Sequence, residues 1–344
     1  MAFSSEKRPA APGVLDTLSA GFNLVNRRPW LLAVPVLLDL LLWWGPRLSI
    51  APLVAEFLRV TASPAELGAE YAQAIDQARL ALTQMGGELN LMGLLAAGVL
   101  GLPSLLSVTA LGTDFLPAAP VTVQLSSLLL AVPISLLLML LSVWIAALYL
   151  ASLAQTIREG RVTRATLVSQ VWGLGWRLTM WLGLILAIAV FAGFPAMLAL
   201  GLAAVFNANL ASFFTGLAWL AVMWVAVYMF FVVQSVSLGQ AGVFRSMWNS
   251  VNVVRWNLGS ALGLVVVINL MQRGLPMIWD MFATNAWALP VSIVGNAYIG
   301  TGLMAASMIF YGQRFALWQA AVRGRAARTP PLEAKSDNAG GSAQ

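Results

Sequence analysis

"NRRPWLLAVPVLLDLLLWWGPR", Asn26–Arg47, is an apolar run with basic residues at both ends and a single acid, Asp39, near its middle. From Leu31 onward it reads as a helix entering lipid, since about 20 apolar residues rising ~1.5 Å each cross a hydrocarbon core about 30 Å thick. A helix is required because lipid offers no partner to an open strand edge. Arg27 and Arg28 set the inner end, as cytoplasmic flanks collect Lys and Arg, and Trp43, Trp44 and Pro46 mark the outer boundary.

The rest of the chain has the same character. Of 344 residues, 60% are hydrophobic and 9% charged, against roughly one-quarter charged in an ordinary soluble domain. The formal net charge is +6, but its basic residues stand in short clusters between apolar runs, so the charge reports membrane topology and no nucleic-acid partner is expected. There is no cysteine and no histidine. That excludes disulfides, thiolate metal sites, His-ligated zinc or haem, and any mechanism needing imidazole as base; no metal and no cofactor is expected. Lys7 and Arg8 precede a polar stretch, and the first apolar run is longer than a signal-peptide core, so no cleaved targeting segment is expected.

Uncharged runs predict six crossings, near Leu31–Ile50, Val121–Leu153, Leu178–Phe206, Phe213–Leu238, Leu258–Gln272 and Trp287–Tyr311. A seventh apolar run, Leu91–Leu111, is broken by Gly93, Gly98, Gly101 and Pro103 and reads as a re-entrant or interfacial hairpin. With six crossings and both termini inside, four of the nineteen Lys/Arg fall outside: Arg47, Arg59, Arg79 and Arg273. A seven-span chain with its amino terminus outside balances almost as well. Local charge favours six, because Lys7, Arg8, Arg27 and Arg28 precede the first span while Glu56, Glu66, Glu70 and Asp76 follow it. The expected fold is an all-α polytopic transmembrane helix bundle in the cell (inner) membrane. It comprises a cytoplasmic amphipathic segment (1–30), a membrane domain (31–313) with an outer helical insertion (51–120), a basic helix (314–328) and a disordered tail (329–344).

Within the insertion, Ser63-Pro64-Ala65-Glu66 is a capping box with proline at the first helical position, and Leu67, Tyr71, Ile75, Ala78, Leu82 and Met85 then recur as one apolar stripe. The resulting amphipathic helix serves as a lid over the bundle end or lies on a membrane or partner surface. The chain also repeats a theme: "VLDTLSAGFNLVNRRPW", "ATLVSQVWGLGWRLTMW" and "VFRSMWNSVNVVRWNLG" each run through arginine into a span. Three parallel two-helix units would account for this, and so would a shared interfacial environment. The stretch "QAGVFRSMWNSVNVVRWNLGSALGL", Gln240–Leu264, resembles the helical hairpins of bacterial six-helix membrane proteins, among them the membrane domains fused to some glycerophosphoryl diester phosphodiesterases. The resemblance implies the six-helix architecture. It does not carry phosphodiesterase activity here, because no soluble catalytic domain is attached and Gln234 or Gln240 stands where such proteins often place an acid.

Polar residues at membrane depth are the functional candidates. An aspartate near the bilayer centre costs about 2.5–3.5 kcal/mol on insertion scales, so Asp39 needs a partner or a proton. Arg47, two turns on, lies ~12 Å away and should snorkel outward. Better partners are Asn269, Ser292, Asn296 and Thr301 in the last two spans, with Asp39 facing inward and bonded near Asn269 or Asn296. Gly259 and Gly263 form a small-xxx-small pair expected to pack closely. Arg27, Arg28, Arg314, Arg323, Arg325 and Arg328 are expected to contact anionic inner-leaflet lipid headgroups, and the basic helix alternatively docks a membrane or cytoplasmic protein partner. Asp39, Asp114 and Asp280 have no evident companion base or metal set, which argues against an enzyme. The leading expectation is a non-enzymatic membrane-organising, lipid-interacting or accessory protein; the alternative is a transporter or permease using Asp39.

Overall fold

The computed structural model describes residues 12–60, 69–96, 98–107, 121–282 and 287–326, which are helical almost throughout. Helix α1 (Val14–Arg27) and a 3-10 turn (Pro29–Leu32) lead into α2 (Ala33–Trp44). Strand β1 (Arg47–Ser49) opens the insertion, which holds α3 (Ala51–Val60), α4 (Ala69–Glu88) and the 3-10 turns Leu91–Leu95 and Gly98–Leu100 and closes with β2 (Thr122–Gln124). There follow α5 (Leu128–Glu159), α6 (Arg164–Ile188), α7 (Phe194–Phe206), α8 (Ala208–Met229), α9 (Val232–Gly239), α10 (Val243–Trp256), α11 (Leu258–Phe282) and α12 (Ala288–Ala326). A π-helical turn at Ala189–Gly193 joins α6 to α7 just before Pro195, which has no amide to give to the helix ladder.

Five stretches among the described residues are long and apolar enough to cross a membrane: α5, α6 with α7, α8 with α9, α11, and α12. The first apolar run differs from the expected Leu31–Ile50. Its helical part, Pro29–Trp44, is shorter, about 24 Å at ~1.5 Å per residue, because Gly45 and Pro46 end it and β1 begins at Arg47. Helix α12 runs unbroken from the last apolar run through Arg323, into the basic helix expected at 314–328. Asp114, the capping box at 63–66 and the tail from Thr329 lie outside the described residues.

Strands β1 and β2 pair in parallel, Arg47 opposite Thr122 and Ser49 opposite Gln124, so the insertion leaves and rejoins the bundle through one narrow neck. Asn90 reinforces it: the Asn90 Oδ1 accepts from the amides of Leu48 and Met92, both at 3.1 Å. Helix α4 pairs with α3, Gly86 standing against Val54, while Leu80 and Met85 remain exposed.

Helices α5, α9 and α12 meet at the centre. Around them α6 lies on α5, α10 lies on α9, and α1 lies on α12, closing a ring between the start and the end of the chain. Two of the three similar segments share a common design. Helices α1 and α10 start from extended glycines, Gly13 and Gly242, and bury residues at the same offsets: Thr17, Gly21 and Val25 in one, Ser246, Ser250 and Val254 in the other. The second segment differs, since α6 continues straight into the long apolar stretch where the others turn at Arg28 and Asn257.

Small residues set the α1–α12 contact. A Cβ on Gly21 would stand 2.5 Å from the Gly302 carbonyl oxygen, and one on Gly302 would stand 2.5 Å from the Phe22 ring. The Gly259/Gly263 pair does not pack this way: Gly259 has nothing within 4 Å, and Gly263 meets only Val14 at 3.9 Å. By contrast α7 and α8 pair with each other and leave Phe206 and Trp219 exposed, as is Phe191 in the π-helical turn before them. Gly21→Leu should therefore lower the unfolding temperature in detergent by several degrees or prevent folding, as overpacking costs about 1–3 kcal/mol. Gly201→Leu on α7, where nothing lies within 4 Å, should leave it unchanged.

Candidate functional site

Asp39 is fully buried, but its partners are not those expected from the sequence. The Ser104 hydroxyl donates to Oδ1 at 2.5 Å, the Leu105 amide to Oδ2 at 2.9 Å and the Leu106 amide to Oδ1 at 3.3 Å. The Ser104 Oγ in turn accepts from the Ser107 amide at 3.2 Å, so one turn of outer chain is organised around one carboxylate. The partner is the segment after α4, which folds in beside α2 and buries Leu91, Leu95, Leu100, Leu102 and Leu105. Gly101, at φ +77°, adopts the left-handed conformation that lets the chain turn, with Met304 of α12 near 3 Å from where a Cβ would be. Pro103 fills the space over Gly300.

The expected companions of Asp39 lie elsewhere. Asn269 is exposed and donates to the Val265 carbonyl of its own helix at 2.9 Å, Ser292 is buried but donates to the Ala288 carbonyl at 3.1 Å, and Asn296 is half-buried with no bond to Asp39. Thr301 is buried beside Tyr149. Among the arginines, Arg27 and Arg28 are exposed, Arg28 donating to the Gly160 carbonyl at the end of α5 at 3.0 Å. Arg314, expected at headgroups, is 8% exposed, donates to the Pro12 carbonyl at 2.9 Å and lies 5.1 Å over the Phe310 ring. Arg323 is exposed and donates to Gln319 at 3.2 Å; Arg325 lies in α12 and Arg328 beyond the described residues.

The sequence reading missed a polar centre where α5, α9 and α12 meet. Gln234 donates to the Ser307 hydroxyl at 3.0 Å, and the Tyr311 hydroxyl donates to Ser235 at 2.8 Å. Gln155 donates to Glu159 at 3.2 Å. The Oε1 atoms of Gln155 and Gln234 are buried without a hydrogen-bond partner among the described residues. A signal was present: Tyr149 precedes Gln155, Tyr228 precedes Gln234, and Tyr298 precedes Met304, each by the same spacing. Ser250 ties α10 to the break between α8 and α9, donating to the Tyr228 carbonyl at 2.7 Å and accepting from the Phe231 amide at 3.1 Å.

Residues 71–318 match a family described as a domain of unknown function, DUF7847. The match spans well over half of the chain, and the protein belongs to that family. Neither a curated protein nor a solved structure matches it.

Removing the acceptor at Asp39 should be costly because buried donors left unmet lose about 1–3 kcal/mol each. Asp39→Ala should sharply lower the unfolding temperature in detergent and open the 91–107 segment to protease, whereas Ser104→Ala, deleting one donor of three, should cost about 1 kcal/mol. An Asp39→Ala protein as stable and as protease-resistant as wild type would refute this role.

Proposed function

We propose that this DUF7847 protein is a multi-pass inner-membrane protein without a reaction of its own, which binds and organises lipid or supports a membrane partner. The observation that carries the reading is the engagement of Asp39: its carboxylate is committed to three donors of one buried turn, which favours holding the fold together over carrying a proton or a solute. In the polar centre around Gln155 and Gln234 the one carboxylate hydrogen-bonded among the described residues, Glu159, is held by Gln155 of its own helix, which favours a structural role for the centre.

In this reading the bundle crosses the membrane six times with both termini cytoplasmic. Pro29–Trp44 is the sixth crossing, short enough to require local thinning of the bilayer, a modest cost for a few ångströms of mismatch. The neck of β1 and β2 has open edges, which belong at the outer interface and not in hydrocarbon. The segment 91–107 is then a re-entrant element, tolerated at depth because its leucines are buried in protein and Asp39 accepts from Ser104, Leu105 and Leu106. Exposed Arg27 and Arg323 face inner-leaflet anionic lipid, where each basic residue near the surface contributes about 1 kcal/mol.

Reconstituted in liposomes, wild type and Asp39→Asn should give the same flux as protein-free vesicles for a panel of ions and amphiphiles; a flux that wild type supports and the variant loses would make the protein a transporter. Topology can be read separately, because the chain has no cysteine to remove. Gly87→Cys should react with an impermeant maleimide on intact cells, and Gly160→Cys only after permeabilisation.

A further inference from the structure

We propose that the cleft between α6 and the ends of α5 and α9 binds the phosphate of an anionic lipid headgroup. The cavity is about 310 Å³ and is lined by Thr166, Ser169, Gln170, Arg177, Ser237 and Gln240 among others, with no carboxylate on its walls. That volume lies at the small end of ligand sites, which run from about 300 Å³.

Ser169 and Ser237 give their hydroxyl hydrogens to the Thr166 and Val233 carbonyls, at 3.0 and 2.7 Å, so the donors left to the cleft are the Arg177 guanidinium and a side-chain amide. Arg177 is half-buried on the wall and has no hydrogen-bond or ion-pair partner among the described residues. An unpaired guanidinium there offers a planar fork suited to two phosphate oxygens. Arg158, at the rim, donates to Gln170 Oε1 at 3.0 Å, so the Gln170 Nε2 is left to donate into the cleft. The same guanidinium donates to the Leu238 carbonyl at 3.4 Å and so fastens α5, α6 and α9 around the opening. Gln240, which closes α9 at φ +49° and is the one non-glycine residue at positive φ among the described residues, also lines the cleft.

The source of the phosphate follows from the neighbours. On the adjacent face of α6, Val168, Trp172, Trp176 and Met180 form an exposed stripe at four-residue spacing. Tryptophans concentrate where headgroups meet hydrocarbon, so acyl chains lying along this stripe would bring a headgroup to the cleft mouth. A soluble anion would gain nothing from the stripe.

The site rests on the lipid-binding reading above and is tested separately from it. The full chain, purified in a neutral detergent, is titrated with fluorescent short-chain phosphatidylglycerol, with short-chain phosphatidylcholine and inorganic phosphate as competitors. Expected are saturable binding of phosphatidylglycerol, no displacement at equal concentration by either competitor, about tenfold weaker binding in Arg177→Gln, an intermediate value in Arg177→Lys and an unchanged one in Arg59→Gln, whose arginine pairs with Glu56 on α3. Gln170→Glu, which puts a carboxylate in the cleft, should weaken binding as well and serves if Arg177→Gln fails to fold. Binding unchanged by Arg177→Gln or by Gln170→Glu overturns the site. So does equal displacement by phosphatidylcholine, and displacement by inorganic phosphate makes the ligand a soluble anion and overturns the lipid assignment. If the site fails while the flux assays stay silent, the broader function reading stands.

Discussion

The carboxylate of Asp39 accepts from Ser104, Leu105 and Leu106, and through it an irregular outer segment becomes part of a helical bundle. Helices satisfy their own peptide groups, whereas the chain at 91–107 has two short 3-10 turns and cannot. Its apolar side chains give it a reason to be buried, and its free amides give it a reason not to be. One acid on α2 resolves that conflict. The neighbouring contacts depend on the same placement: Gly101 meets Met304, Pro103 meets Gly300, and Leu105 joins Trp43, Leu289 and Ile293 in a buried cluster that bridges three parts of the chain.

Much of this was legible in the sequence, for reasons that differ by element. Long uncharged runs without periodic polarity can only be buried in lipid or in protein, so α5, α8 with α9, and α12 follow from length alone. Asp39 could be identified as an acid that needs a partner, because the cost of an unmet carboxylate is independent of the fold. Its actual partners could not be identified, because two of the three are backbone amides, which every residue has and no sequence pattern marks. The Pro12 carbonyl that Arg314 meets could not be read for a related reason, since a backbone acceptor carries no mark in the sequence. Gly259 and Gly263 show that small-residue spacing names a helix face without naming a partner, whereas Gly21, four residues after Thr17, makes one of the tightest approaches, against Gly302 and Ala306.

The polar centre follows from how the three returning helices meet. Helices α9 and α12 converge where a fully apolar packing would have left rotation and register free, and Gln234, Ser235, Ser307 and Tyr311 replace that freedom with directional bonds, while the bond Gln155 makes to Glu159 stays within α5. In lipid such bonds add little to affinity between helices, about 0.6 kcal/mol each on average, but they discriminate between alternative pairings. The recurrence of Tyr149, Tyr228 and Tyr298 at matching positions, together with the shared burial pattern of α1 and α10, gives the ring a common plan that the straight α6 and the outer insertion modify.

The closure of that ring also constrains how the protein is made. Helix α1 leaves the ribosome well before the groove that receives it, formed by Gly302 and Ala306 of α12. At about 5–20 residues per second the interval is on the order of 15–60 s. During that time α1, amphipathic and carrying Asp16 and Arg27, has no protein surface to cover its apolar face, and the membrane surface is the available shelter. The bundle is thus held open at α1 until α12 arrives, and the docking of an early helix waits on the synthesis of a late one.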